Sequence, residues 1–190
     1  MRILVAIAVV SLAACGTDYA PDEHGTSSTP TVVSGEDVFL ENCSQCHGAD
    51  GKGTKDGPTI LSPVKPFATY VIRHGRGIEM GFPTGMDAWD TTKLSDEELN
   101  AVLDWLSSAP KPTTGPELYG RFCINCHGAN ARSGRVGKNI VSEVGELTIK
   151  VRYGHGGTLY GARTSYMPAW GTDVLTDADL SVLRSYILTL

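Results

Sequence analysis

The sequence predicts an all-α chain built from two tandem copies of one small domain. Three observations carry this: an internal repeat, matched helix-start signals in each copy, and a five-residue cysteine–histidine motif that occurs once per copy. The repeat is the plainest of them. Cys43 and Cys123 are 80 residues apart, as are His47 and His127. Met86 and Met167, Trp89 and Trp170, and Leu99 and Leu180 are each offset by 81. Ordered matches at nearly one offset argue for duplication of a single fold.

Each copy is expected to open and close with a helix. Ser34 is placed to cap the first, with Asp37 three residues on. Gly35 and Phe39 fall on one face of it, as do Gly115 and Tyr119 in the second copy. The closing helices carry stronger signals. Ser95 with Glu98 forms a capping box and Leu94 with Leu99 a hydrophobic staple; Thr176 with Asp179 and Leu175 with Leu180 repeat the arrangement. Leu99, Val102, Leu103 and Leu106 recur at helical spacing, as do Leu180, Leu183, Ile187 and Leu190. Between these helices the chain is rich in Gly and Pro and shows no strand pattern. Residues 107–114 have a linker's composition, which divides the chain into domains at 35–109 and 113–190. A domain that small, with an irregular middle, buries little core and calls for a staple.

The N-terminus reads as an export signal over residues 1–14. Arg2 is followed by an apolar run, 3–14, broken only by Ser11. That run is too short to cross a bilayer, which takes about 20 residues. Leu12-Ala13-Ala14-Cys15 resembles a bacterial lipobox, which implies cleavage before Cys15 and a lipid on its thiol. The alternative is ordinary signal cleavage near Ala14. Either way the protein leaves the cytoplasm. Residues 15–34, rich in Thr, Ser, Pro and Gly, are expected to be a flexible tether with His24 solvated in it.

The formal net charge of −5 argues against a general nucleic-acid binder. Charge is unevenly spread: residues 34–109 hold six bases and twelve acids, and 110–190 hold nine and six. Such asymmetry can steer two partners to opposite ends, or reflect mere drift of the surface.

Four of the five cysteines fall in Cys43-Ser44-Gln45-Cys46-His47 and Cys123-Ile124-Asn125-Cys126-His127. With Cys15 read as lipidated, none is left for a disulfide. One helical turn brings the paired thiols side by side, within reach of the two vinyl groups of a haem. The adjacent histidine then faces the iron as proximal ligand. C-x-x-C-H is the attachment signature of c-type haem, and two in a repeat behind an export signal imply two covalent haems. A dithiol redox motif expects a βαβ setting, which is missing. Zinc needs both cysteine pairs brought together or further ligands in each half.

The sixth iron ligand must come from elsewhere. Met86 and Met167 lead, each in Met-x-Ala-Trp and 39 and 40 residues past His47 and His127. Met80 is a nearby competitor without a match in the second copy, and His74 and His155 are rivals offset by 81. Arg73 and Arg152 are candidate partners for haem propionates.

With these motifs on the page the chain resembles the class I cytochromes c in tandem, especially the two-domain dihaem cytochromes of the c-four kind. The likeness runs from residue 35 to 190 and includes Trp105 or Tyr186 on the closing helix. It implies His/Met ligation and periplasmic electron transfer between a redox donor in the membrane and a terminal acceptor, such as an oxidase, with the protein held at the membrane by its lipid. In the family a proline after the motif often sets its carbonyl against the proximal histidine; Gly57-Pro58 fits this, whereas Lys138 takes the place in the second copy. Met167-Pro168 keeps the family's Met-Pro step and Met86-Asp87 does not. The competing class is a haem enzyme, such as a dihaem peroxidase or thiosulfate dehydrogenase, in which one iron has a replaceable distal ligand. A haem-based gas sensor is the third, though no signalling module accompanies it.

Overall fold

Helix α1 (Gly35–Asn42) packs across α4 (Asp96–Ser107), and α5 (Gly115–Phe122) packs across α8 (Asp177–Ile187) in the same way. The structure is a computed structural model that describes residues 32–78, 84–132, 134, 138–162 and 165–190. The export signal, Cys15, His24 and Met80 lie outside the described residues.

The crossing depends on a residue without a side chain. A Cβ on Gly35 would come within 2.1 Å of the Ala101 carbonyl oxygen, and one on Gly115 within 2.6 Å of Tyr186 Cβ. The aromatic rings pair beside these contacts. Phe39 packs against Trp105 with the rings tilted at 4.7 Å and Tyr119 meets Tyr186 edge-on at 5.7 Å.

Both expected capping boxes form. Ser95 and Thr176 accept from the backbone of Glu98 and Asp179, whose carboxylates accept in return from the cap residues. Each box fixes where its helix starts and so sets the register of its buried face. Leu99, Val102, Leu103 and Leu106 are buried, as are Leu180, Leu183 and Ile187. Leu190 is a difference from the periodic reading: α8 ends at Ile187, and Leu190 packs from beyond it.

Between the outer helices stand two that the Gly/Pro content conceals, α3 (Lys65–His74) and α7 (Leu147–Tyr153). They pack on α4 and α8 respectively, and a single 3-10 turn, Val144–Glu146, leads into α7. Two short helices, α2 (Ser44–His47) and α6 (Ile124–His127), complete the set.

The two halves bury unequal cores among the described residues. The second has one cluster built on Leu118, Tyr119, Ala131, Val151, Leu175, Leu180, Leu183 and Ile187. The first has two smaller ones: Phe39, Leu61, Val102 and Leu106, and separately Leu94, Leu99 and Leu103. The halves touch through an aromatic group in which Phe67 and Tyr70 of α3 meet Tyr160 and Tyr166.

Candidate functional site

Cys43 and Cys123 interrupt the chain identically. Each ends one helix and starts the next at φ −121°, and the His47 and His127 amides both bond back to that cysteine's carbonyl at 3.0 Å. One turn therefore gathers Cys43, Cys46 and His47, and another Cys123, Cys126 and His127, all half-buried. Burial, and then the neighbouring cysteine, push the Cys43 thiol up to about 11 and the Cys123 thiol up to about 12. A reactive dithiol works through a thiolate whose pKa is lowered. The zinc reading also lacks a ligand set, since no group of three or more His, Cys, Asp or Glu side chains is placed to hold a metal ion among the described residues.

His47 shows how an imidazole is readied for a metal. Its Nδ1 lies 2.9 Å from the Pro58 carbonyl oxygen. A carbonyl only accepts, so Nδ1 carries the proton and the Nε2 lone pair is left for iron. This is the contact that Gly57-Pro58 led us to expect. His127 differs: its Nδ1 is buried with no hydrogen-bond partner among the described residues. Burial pulls its pKa below the ordinary value, opposed by the charge of Glu143, and so favours the neutral ring that ligation needs.

Met86 and Met167 return to matching places. Met86 exchanges two backbone hydrogen bonds with Arg76, at 2.6 and 2.7 Å, and Met167 exchanges two with His155, at 3.0 and 2.9 Å. The partner strands follow Gly75 and Gly154, which cap α3 and α7 at φ 70° and 62°. A Cβ on either glycine would stand 2.5 Å from the carbonyl oxygen of its methionine. Positive φ and this close approach together demand glycine, and they fix each methionine segment against the end of its middle helix.

Arg73 and Arg152 each have a matching set of partners within their own domain. Arg73 donates through Nη1 to the Trp89 and Leu94 carbonyls, at 2.8 and 2.7 Å, and through Nη2 to Asp96 at 2.6 Å. Arg152 does the same with Trp170 and Gly171, at 3.0 and 3.4 Å, and with Asp177 at 2.7 Å. Each guanidinium thus ties the middle helix to the tryptophan after the methionine and to the first turn of the closing helix. A planar fork of donors beside several orphan carbonyls finds these partners within its own domain. Such charge-assisted bonds are worth about 1.5–3 kcal/mol each where buried, and the aspartate end, being exposed, adds little.

His74 and His155 are both exposed. The His74 ring stacks on Tyr70 at 4.1 Å and its Nδ1 donates to the Tyr70 carbonyl at 2.9 Å, which uses the ring locally on α3. One pair escaped the sequence reading. Asn125, between the cysteines of the second motif, donates from Nδ2 to the Thr59 carbonyl of the first half at 2.7 Å. Nothing local could reveal it, because the partners are 66 residues apart.

Two cysteines and a histidine gathered by one turn in each half, a histidine with its proton on Nδ1, and two buried nitrogens in the second half, His127 Nδ1 and Trp170 Nε1, without a partner among the described residues, all fit a large prosthetic group in each half. The family model for cytochrome c oxidase, cbb3-type, subunit III matches the chain twice, over residues 30–106 and 110–187. The chain belongs to the cytochrome c family. It carries two covalent haems c, one in each tandem domain.

A cbb3-type cytochrome c oxidase subunit CcoP of Azospirillum sp. (strain B510) is 30% identical over 183 residues, covering 82% of this chain and 61% of that one. A subunit FixP of Azorhizobium caulinodans is 27% identical, covering 83% and 59%. The chain therefore spans about three-fifths of the length of these relatives. A reduced recombinant cytochrome c4 of Pseudomonas stutzeri matches at 18% identity and a TM-score of 0.31, covering 82% of this chain and 96% of that one. That superposition is too loose to argue from.

Proposed function

We propose that this cytochrome is an exported electron carrier, not an enzyme, and that it passes single electrons between a membrane donor and a terminal oxidase. The carrying observation is the duplication of the methionine return: in both halves a methionine is pinned behind a positive-φ glycine at the end of the middle helix. When bound, each haem supplies a one-electron ferric/ferrous couple. Cys43, Cys46, Cys123 and Cys126 hold the groups covalently, and His47 and His127 present imidazole nitrogen to the irons. Met86 and Met167 would supply the second ligand to each iron, and a filled coordination shell would favour electron exchange over substrate binding. An oxidase as acceptor is supported by the relatives, whose names make them subunits of a cbb3-type cytochrome c oxidase.

The reduced wild-type protein is expected to titrate as two reversible one-electron couples and to bind carbon monoxide only slowly and substoichiometrically. Rapid stoichiometric binding would favour the peroxidase or dehydrogenase class.

We also propose that Cys15 carries a lipid and that residues 16–34 are the leash between membrane and domains. No described helix is long and apolar enough to cross a membrane. Cys15→Ser is expected to move the protein from the membrane to the soluble periplasmic fraction. Wild type already soluble there would rule the anchor out.

A further inference from the structure

The contact between Asn125 and Thr59 links the two haem sites in an unforeseen way. Asn125 sits between the two thioether cysteines of the second domain, two residues before His127. Its amide reaches across to the carbonyl of Thr59 at 2.7 Å. Thr59 follows Pro58, whose own carbonyl accepts from Nδ1 of His47 at 2.9 Å. The result is a continuous chain of covalent and hydrogen bonds. It starts at the proximal imidazole of the first haem, runs through the Pro58-Thr59 peptide, crosses the domain boundary at Asn125, and ends at the thioether sulfur of Cys126.

Three features make this more than a chance surface contact. The residues on the path are all half-buried. The Pro58-Thr59 segment is held from both sides: the Ile60 amide donates to Gly51 at 3.0 Å, the Thr54 amide to Gly57 at 2.8 Å, and the Thr54 hydroxyl to the Cys46 carbonyl at 2.6 Å. The equivalent of Asn125 in the first domain, Gln45, is exposed, so this use of the middle residue belongs to the second motif alone.

We infer that the hydrogen bond from Asn125 to Thr59 is the electronic bridge between the two haems. The inference rests on the electron-carrier reading above. Tunnelling decays far less steeply along covalent and hydrogen bonds than through gaps between atoms. A path with only two hydrogen bonds and no jump between non-bonded atoms therefore couples its two ends, the His47 imidazole and the Cys126 sulfur, better than a path of the same length that crosses the boundary through van der Waals contacts. With both haems bound, the electron given up by one ferrous iron would be taken by the other, ferric, iron. One electron moves, no proton is transferred, and no bond is made or broken. Asn125 is a positioning residue here: it touches neither iron and acts by closing the path.

The test uses the full holoprotein in a half-reduced solution. Exchange spectroscopy by NMR on the resolved haem-methyl signals gives the electron-exchange rate, and its concentration-independent part is the intramolecular rate. Asn125→Leu keeps the side chain's size and removes the donor; Asn125→Ser shortens its reach. Both are expected to lower the intramolecular rate severalfold while leaving the two midpoint potentials at wild-type values, a combination that a merely structural role does not produce. Tyr160→Leu, which loosens the aromatic contact between the domains but leaves the path intact, is expected to lower it much less. An unchanged rate in the Asn125 variants overturns the inference, as does an equal fall in Tyr160→Leu. Failure of the electron-carrier reading would look different, since wild type would then bind carbon monoxide rapidly.

Discussion

Replacing Cys43 and Cys46 with alanine is expected to unfold the first domain and to leave most of the second folded. The first domain has few means of standing alone. Among the described residues its buried side chains fall into two clusters joined only by half-buried Val38, one on Phe39, Leu61, Val102 and Leu106 and the other on Leu94, Leu99 and Leu103. A single cluster of that size offsets little of the chain entropy of about 75 ordered residues, at about 1–2 kcal/mol per residue for the backbone alone. A covalently held haem adds apolar surface for both clusters and also ties α2 in place, as a disulfide or metal does in other small folds. The second domain keeps its own haem and one contiguous core, with Leu118, Tyr119, Leu183 and Ile187 almost fully buried. The double variant should therefore lose about half of its helical circular dichroism. Limited proteolysis should remove the first domain, and mass spectrometry should find one haem in place of two. Helical signal and protease resistance unchanged from wild type would show that the haem is not the staple. The reciprocal Cys123→Ala, Cys126→Ala variant is expected to retain more residual structure, because its core is not divided.

Much of this was legible in the sequence, and what was not has identifiable causes. The closing helices announced themselves through capping boxes and a buried apolar stripe, four residues in α4 and three in α8, both local signals. The middle helices did not. α3 runs only from Lys65 to His74 and α7 only from Leu147 to Tyr153, flanked by the glycines and prolines that suggested irregular chain. A signal was nonetheless present in α3: Pro66 in its first turn and Gly75 just past its end are the usual start and stop of a helix. The iron-binding motifs were readable because one turn of chain contains them. The roles of Arg73 and Arg152 were not, because their partners lie 16 to 25 residues away on other elements. Their symmetry about the two domains is itself evidence that the clamp is part of the duplicated fold. Asn125 was least legible of all. Its partner sits in the other copy, and a repeat read by aligning the copies hides whatever one does to the other.

The second large effect is expected at Met86 and Met167. Among the described residues, each stands where the chain, having left its C-x-x-C-H turn, is pinned back by paired backbone bonds before the closing helix begins. The pinning is costly in sequence terms, since Gly75 and Gly154 accept no Cβ there. It is most simply explained if the methionine side chain must be delivered to a fixed point opposite His47 or His127. The rival histidines are worse placed: His74 is exposed and stacked on Tyr70, and His155 is exposed. A thioether is a soft ligand that favours ferrous iron, so its loss should lower the potential of the iron concerned. Met86→Ala and Met167→Ala are each expected to remove about half of the near-infrared sulfur-to-iron charge-transfer band of the oxidised protein. Each should also lower one of the two midpoint potentials and open one iron to carbon monoxide. The pairing of effects matters, because a general loosening of the fold would disturb both couples together. His74→Ala and His155→Ala should leave the band at its wild-type strength. A band that persists in both methionine variants, or that is absent from wild type while the histidine variants alter the spectrum, would assign the distal position to histidine.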